Sequence, residues 1–159
     1  VYVRPRAATM FEALKASCAL PFLYRGPVHV DGEALVDGGL SDPFAAEAAY
    51  RFGARRIMVI RSRPATFTKK PSLASSLVAY AAGSPGLARA HREAAGRYRR
   101  AVQFVLTPPD DCQIIHVAPD EPLPVSRMTQ DTAALAHTYE VGRRHGLRAI
   151  EAWSAARSL

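Results

Sequence analysis

Short periodic apolar stretches alternate with proline and glycine breaks along the chain. Over 8–19, Met10, Phe11, Leu14 and Cys18 recur at three- and four-residue spacing and predict a helix with one apolar face. Thr9 and Glu12 stand at capping-box spacing, and Pro21 ends the segment. Val28-His29-Val30 and Ala34-Leu35-Val36 flank Asp31-Gly32-Glu33 and predict a hairpin. Asp42 as N-cap and Pro43 at the first helical position predict a second helix running to about Phe52, with Gly53 just past its end. The continuous apolar run Ile57-Met58-Val59-Ile60 within 56–62 predicts a buried strand.

Further on, 66–71 reads as a linker and 72–82 as a helix broken by Gly83-Ser84-Pro85-Gly86. A long helix is expected over 87–106, with Leu87, His91, Ala94, Ala95, Tyr98, Val102 and Val105 sharing one side. A second buried strand is expected over 112–118, then an extended loop marked by Pro119, Pro122 and Pro124. The last element, 131–156, places Leu135, Tyr139, Gly142, Gly146, Ile150 and Trp153 on one stripe. Its two glycines imply either close packing or a cap at Gly146 followed by a short second helix. The order helix, hairpin, helix, strand points to an α/β layered fold with a mostly parallel sheet, followed by a helical extension.

Composition narrows the classes. A chain of 159 residues that is 48% hydrophobic is one domain or a large piece of one, and is not intrinsically disordered. No apolar run approaches the ~18 residues that span a bilayer. Cys18 and Cys112 are the only cysteines, which excludes a disulfide scaffold, offers no metal-ligand pattern and suits a reducing, cytoplasmic compartment. Cys18 lies on the apolar face of the first helix and is expected to be buried and inert. The chain opens on Val1, and we expect it to start inside a larger protein.

The net charge is +7, and 18 of the 21 basic residues are arginine. Arg89, Arg92, Arg97, Arg99 and Arg100 cluster on the long helix and read as a solvated face, or as a surface for anionic lipid or nucleic acid. Tyr98 and Phe104 are too few for a base-stacking platform, and no helix-turn-helix or zinc pattern is present, so nucleic acid is disfavoured.

The chemically suggestive stretch is Val36-Asp37-Gly38-Gly39-Leu40-Ser41-Asp42-Pro43. An Asp at a strand end followed by two glycines lets other backbone or a ligand come close to the carboxylate. Asp37 is therefore either a general base, or the orienter of one, or a turn residue that accepts nearby amides. Asp31 fits an exposed hairpin turn and carries no such role. His29 and His116 fall on strands and read as structural, and His145 follows Arg143-Arg144 in a basic cluster near a helix end.

The pair A-S-C-A-L-P-F and V-D-G-G-L-S-D-P resembles the second half of a patatin-like phospholipase domain. The segments T-P-P-D-D-C, A-P-D-E-P-L-P-V-S-R-M-T and T-Y-E-V-G-R-R-H-G resemble the C-terminal extension of one bacterial subgroup. The resemblance implies a three-layer α/β/α domain, here partial, over 1–65 and a mainly helical extension with one strand over 66–159. It makes Asp37 the base of a Ser–Asp dyad, with Gly38 and Gly39 shaping its backbone. It implies a lipid or other ester substrate, peripheral membrane contact, no cofactor and no metal. Leu20, Phe22 and Leu40 are candidate acyl-pocket walls or plain core. The sequence has no G-x-S-x-G and no glycine-rich oxyanion loop, so no nucleophile is assigned and the N-terminal half of the domain is expected outside these residues. Without nucleophile and oxyanion donors, the chain alone is expected to be inactive. The competing expectation is a non-catalytic basic module that binds anionic lipid or nucleic acid.

Overall fold

The computed structural model describes residues 2, 6–21, 24, 26–71, 77, 85–126 and 128–155. Its elements are α1 (Met10–Cys18), β1 (Val28–Val30), β2 (Glu33–Leu35), α2 (Ala46–Arg51), β3 (Arg56–Ile60), α3 (Pro85–Leu106), β4 (Gln113–Val117) and α4 (Thr132–Ala155). Single 3-10 turns precede α1 and follow β2, the latter at Gly38–Leu40. The chain is mixed α/β. Phe22 and the helix expected over 72–82 lie outside the described residues, Leu77 excepted, which is helical.

Two compact units interleave along the sequence, Val1–Pro43 with Lys70–Tyr98, and Phe44–Lys69 with Arg99–Leu159. In the first, β1 and β2 pair antiparallel with Val28 opposite Leu35 and Val30 opposite Glu33. The connecting Asp31 and Gly32 both have positive φ, 50° and 85°, as the right-handed twist of a two-residue hairpin demands. α1 packs on β1 and on the Gly38–Leu40 turn, burying Ala16, while Ala19, Val30 and Leu40 are buried nearby. Met10, Phe11, Leu14 and Cys18, expected on a buried face, are exposed, Phe11 to 74%. Small Ala16 makes the contact instead, which corrects both the face of α1 and the buried state of Cys18. Thr9 makes no capping bond to the helix amides, and its hydroxyl accepts from the Arg6 amide at 3.2 Å.

In the second unit β3 and β4 run parallel, with Arg56 opposite Gln113 and Ile60 opposite Val117. Bonds from Gln113 N–H to the Arg55 carbonyl and from Arg61 N–H to the Val117 carbonyl, both 2.8 Å, continue the ladder at each end. Ala46, Ile57, Val59, Val105 and Cys112 form its core, with Phe44, Tyr50, Phe104 and Ile114 packed against it. Burial raises the pKa of the Cys112 thiol. The Tyr50 hydroxyl donates to Asp111 at 2.8 Å, and Arg55 pairs with the same carboxylate. The Tyr50 bond foremost, then Arg55, holds Asp111 below the ordinary carboxylate range.

α2 begins at Ala46, three residues later than expected, because Ala45 has φ +52° and cannot continue a helix backwards to Pro43. Asp42 accepts from the Tyr2 hydroxyl at 2.7 Å. The end of α2 follows expectation. Gly53 has φ +98°, and the Gly53 and Ala54 amides return to Tyr50 and Ala49 in a Schellman arrangement. α4 is continuous through Gly146, and nothing lies within 4 Å of a Cβ placed on Gly142 or Gly146. Neither expected role for these glycines is realised. The face of α4 that is covered runs through Thr138, Val141, His145, Ala149 and Trp153, about one position from the expected stripe. Arg56 fixes its end, with the guanidinium 4.3 Å over the Trp153 ring and a 2.6 Å bond to the Trp153 carbonyl.

Candidate functional site

Asp37 leaves β2 with φ −39° and ψ 119° and caps the Gly38–Leu40 turn. Its amide donates to the Ala19 carbonyl at 2.9 Å, so the chain just past α1 is tied to the D-G-G segment. The two stretches that stand about fifteen residues apart in sequence are therefore hydrogen-bonded neighbours. Asp37 is half-buried, and its Oδ1 accepts from the Gly39 amide at 2.7 Å. Among the described residues no hydrogen bond reaches Oδ2. The turn is closed by Ser41 and Asp42 amides donating to the Gly38 carbonyl at 3.0 and 2.9 Å.

A Cβ on Gly39 would stand 2.9 Å from Asp37 Oδ1, whereas one on Gly38 would meet nothing within 4 Å. Gly39 is thus needed for the carboxylate to sit on the turn amide. Arg97 was not singled out from its neighbours by sequence and holds this turn from α3: its Nη1 donates to the Leu40 carbonyl at 3.0 Å, and Nη2 pairs with Glu93. Glu93 also pairs with Arg89. The i,i+4 spacing signals these two pairs, but nothing in the spacing shows the contact to Leu40. Of the expected five-arginine solvated face, Arg89, Arg92, Arg99 and Arg100 are exposed, and Arg97 is the one drawn in to the turn.

A mostly apolar cavity of about 590 Å3 lies in the same unit. Val36, Leu40 and Ser41, the near neighbours of Asp37 in sequence, line it with Ala19, Tyr24 and Leu87. Leu40 is both core and wall, at 9% exposure, whereas half-buried Leu20 is not in the lining. His29 is exposed on β1, His116 faces Arg61 with His116 Nε2 3.4 Å from Nη1, and His145 lies 3.6 Å from Asp120. His29, the one of the three in the unit that holds Asp37, is not hydrogen-bonded to it. Ser17, next to Cys18, donates to the Leu14 carbonyl at 2.8 Å.

Residues 2–50 match the family model of patatin-like phospholipases. The matched span holds α1, the hairpin, the Asp37 turn and nearly all of α2, and the match agrees with the mixed α/β architecture. Residues 84–156 match a second model, a domain of unknown function, DUF6363, which takes in α3, β4 and α4. The uncharacterized protein YjjU of Escherichia coli (strain K12) is 29% identical over 150 residues. That alignment covers 91% of this chain, and the chain spans about 41% of the length of YjjU. Among the described residues, no group of three or more His, Cys, Asp or Glu could hold a metal ion, and no helix is long and apolar enough to cross a membrane.

Proposed function

We propose that this chain forms part of a serine-dependent lipid acyl hydrolase of the patatin-like type, with Asp37 as the base of a Ser–Asp dyad. The observation that carries the reading is the patatin-like match over a segment whose Asp37 turn, tied to Ala19, adjoins in sequence the residues lining an apolar cavity. In this proposal residues 1–65 are the C-terminal part of a three-layer catalytic domain and residues 66–159 an extension. The nucleophilic serine lies on a segment outside these 159 residues.

The Asp37 carboxylate accepts the serine hydroxyl proton as that oxygen bonds to the ester carbonyl carbon. The tetrahedral oxyanion collapses, the alcohol departs with the proton from Asp37, and an acyl-enzyme remains. Water then adds to the acyl carbon while Asp37 takes its proton, and the serine leaves with that proton as the fatty acid is freed. Oδ1 already accepts from the Gly39 amide, which leaves Oδ2 the less engaged oxygen for the serine proton. The substrate is a lipid ester, met at a membrane surface from the cytoplasmic side. Gly38 and Gly39 contribute backbone shape and no side-chain chemistry.

In the protein extended to include a serine motif, Asp37→Asn is expected to lower ester hydrolysis by about a hundred- to ten-thousandfold. Its thermal unfolding should be unchanged. Retained hydrolysis removes Asp37 from the mechanism. The 159-residue chain alone is expected to show no hydrolysis.

The Oδ1–Gly39 bond also favours a second reading, in which Asp37 is a turn residue of a basic, non-catalytic module. That reading requires binding to anionic vesicles or nucleic acid that weakens steeply with salt. Absence of binding at low salt rejects it.

A further inference from the structure

A cleft of about 420 Å3 lies in the unit that holds β4 and α4, between the 119–124 loop and α4. That volume is in the range of small-molecule sites. Its two walls carry opposite charge. α4 presents Arg144 and Arg148 one turn apart, flanked by His137 and His145, while the loop presents Asp120 and Glu121. His145 Nε2 stands 3.6 Å from Asp120 Oδ2, so these two groups face each other. Arg144, Arg148 and Glu121 have no ion pair or hydrogen bond among the described residues. Two guanidinium groups at i,i+4 repel one another unless an anion lies between them. Their planar forks suit the oxygens of a phosphate better than a single donor would. Pro119, Pro122 and Pro124 restrict the opposite wall, so the acidic groups are presented on a stiffened loop.

We propose that this cleft binds a phosphomonoester of a small primary amine, with the phosphate on Arg144 and Arg148 and the ammonium on Glu121. Charge selects the monoester. With Asp120 turned to His145, the two guanidinium groups and Glu121 are matched by a phosphate carrying close to two negative charges and one ammonium. A phosphodiester carries one negative charge and leaves one guanidinium uncompensated. The cleft and Asp37 lie in different units, so the fate of this proposal leaves the hydrolase reading untouched.

Calorimetric titration of the 159-residue chain with O-phosphoethanolamine tests it, with inorganic phosphate and phosphatidylethanolamine vesicles as parallel probes. O-phosphoethanolamine should bind about tenfold or more tightly than inorganic phosphate. Arg144→Gln and Arg148→Gln should each weaken it about tenfold or more. Glu121→Gln should bring its affinity down to that of inorganic phosphate. Arg143 pairs with Glu140 and is absent from the cleft lining, so Arg143→Gln, an equal charge change on the same helix, should have no effect. No binding by the unaltered chain overturns the proposal, as does an equal loss in Arg143→Gln. Vesicle sedimentation that depends on Arg144 and Arg148 assigns the cleft to a lipid headgroup and also overturns it. The Glu121 variant changes only an exposed loop position, so the proposal remains testable if a helix variant fails to fold.

Discussion

Gly38 and Gly39 are adjacent and alike in sequence, yet their surroundings differ. Alanine at 39 would place a Cβ 2.9 Å from Asp37 Oδ1 and drive the carboxylate off its amide, while alanine at 38 meets open space. Under the dyad reading, Gly39→Ala should therefore lower hydrolysis in the extended protein by about tenfold or more, with Gly38→Ala close to the unaltered rate. Equal rates would detach the carboxylate position from catalysis. His116 offers a second local test. Burial foremost, and the Arg61 guanidinium beside it, hold its pKa below the ordinary 6.5. The unfolded chain takes up a proton that the folded chain refuses, so this contribution to stability is complete above pH 6.5 and is lost as pH falls below it. His116→Gln should flatten the dependence of thermal stability on pH between about 5 and 7, measured by melting at each pH. The sequence marks Asp37 at a strand end and His116 on a strand, but it cannot give the Oδ1–amide bond or the facing guanidinium, because both depend on how the chain folds.

Among the elements, the ends of helices were more legible than their faces. Gly53 is recognisable as a residue beyond a helix end because a positive φ suits glycine, and the φ of +98° agrees. Gly53→Ala should destabilise the fold by about 1–2 kcal/mol, seen as a lower urea midpoint at unchanged slope. Asp131, expected at the start of the last helix, caps α4 by accepting from the Ala133 and Ala134 amides at 2.9 and 3.2 Å. The start of α2 was not legible, since Ala45 adopts a left-handed conformation that no residue pattern announces. The expected side of α3 is buried at Ala94, Ala95, Tyr98 and Val105, but the faces of α1 and α4 failed for a different reason. On α1 and α4 the contacts are made by small Ala16 and Ala149, while Phe11 and Tyr139 stand 74% and 69% exposed. Periodicity ranks positions by hydrophobicity, whereas close approach of one element to another favours small residues.

Across the molecule, uncovered apolar surface is the dominant feature. Phe11 and Leu14 on α1, and Phe52 and Ile60 around β3, are all more than half exposed. Among the described residues β3 and β4 form a two-stranded parallel sheet, an arrangement usually found in larger sheets covered on both faces. Such edges and patches favour self-association. We expect the isolated 159-residue chain to form concentration-dependent oligomers, read by light scattering behind size exclusion. A stable monomer across the concentration range would contradict this.

Local order was written in the sequence: the hairpin with its Asp31-Gly32 turn, the two apolar strands, the long α3 and the D-G-G segment. These follow from neighbouring residues, through turn chemistry, period and backbone freedom. Folding alone brought Ala19 to the Asp37 amide, Arg97 to the Leu40 carbonyl and Arg144 to the 119–124 loop. Each joins residues at least eighteen positions apart, and such contacts depend on long-range packing, to which the local pattern of a single chain is blind.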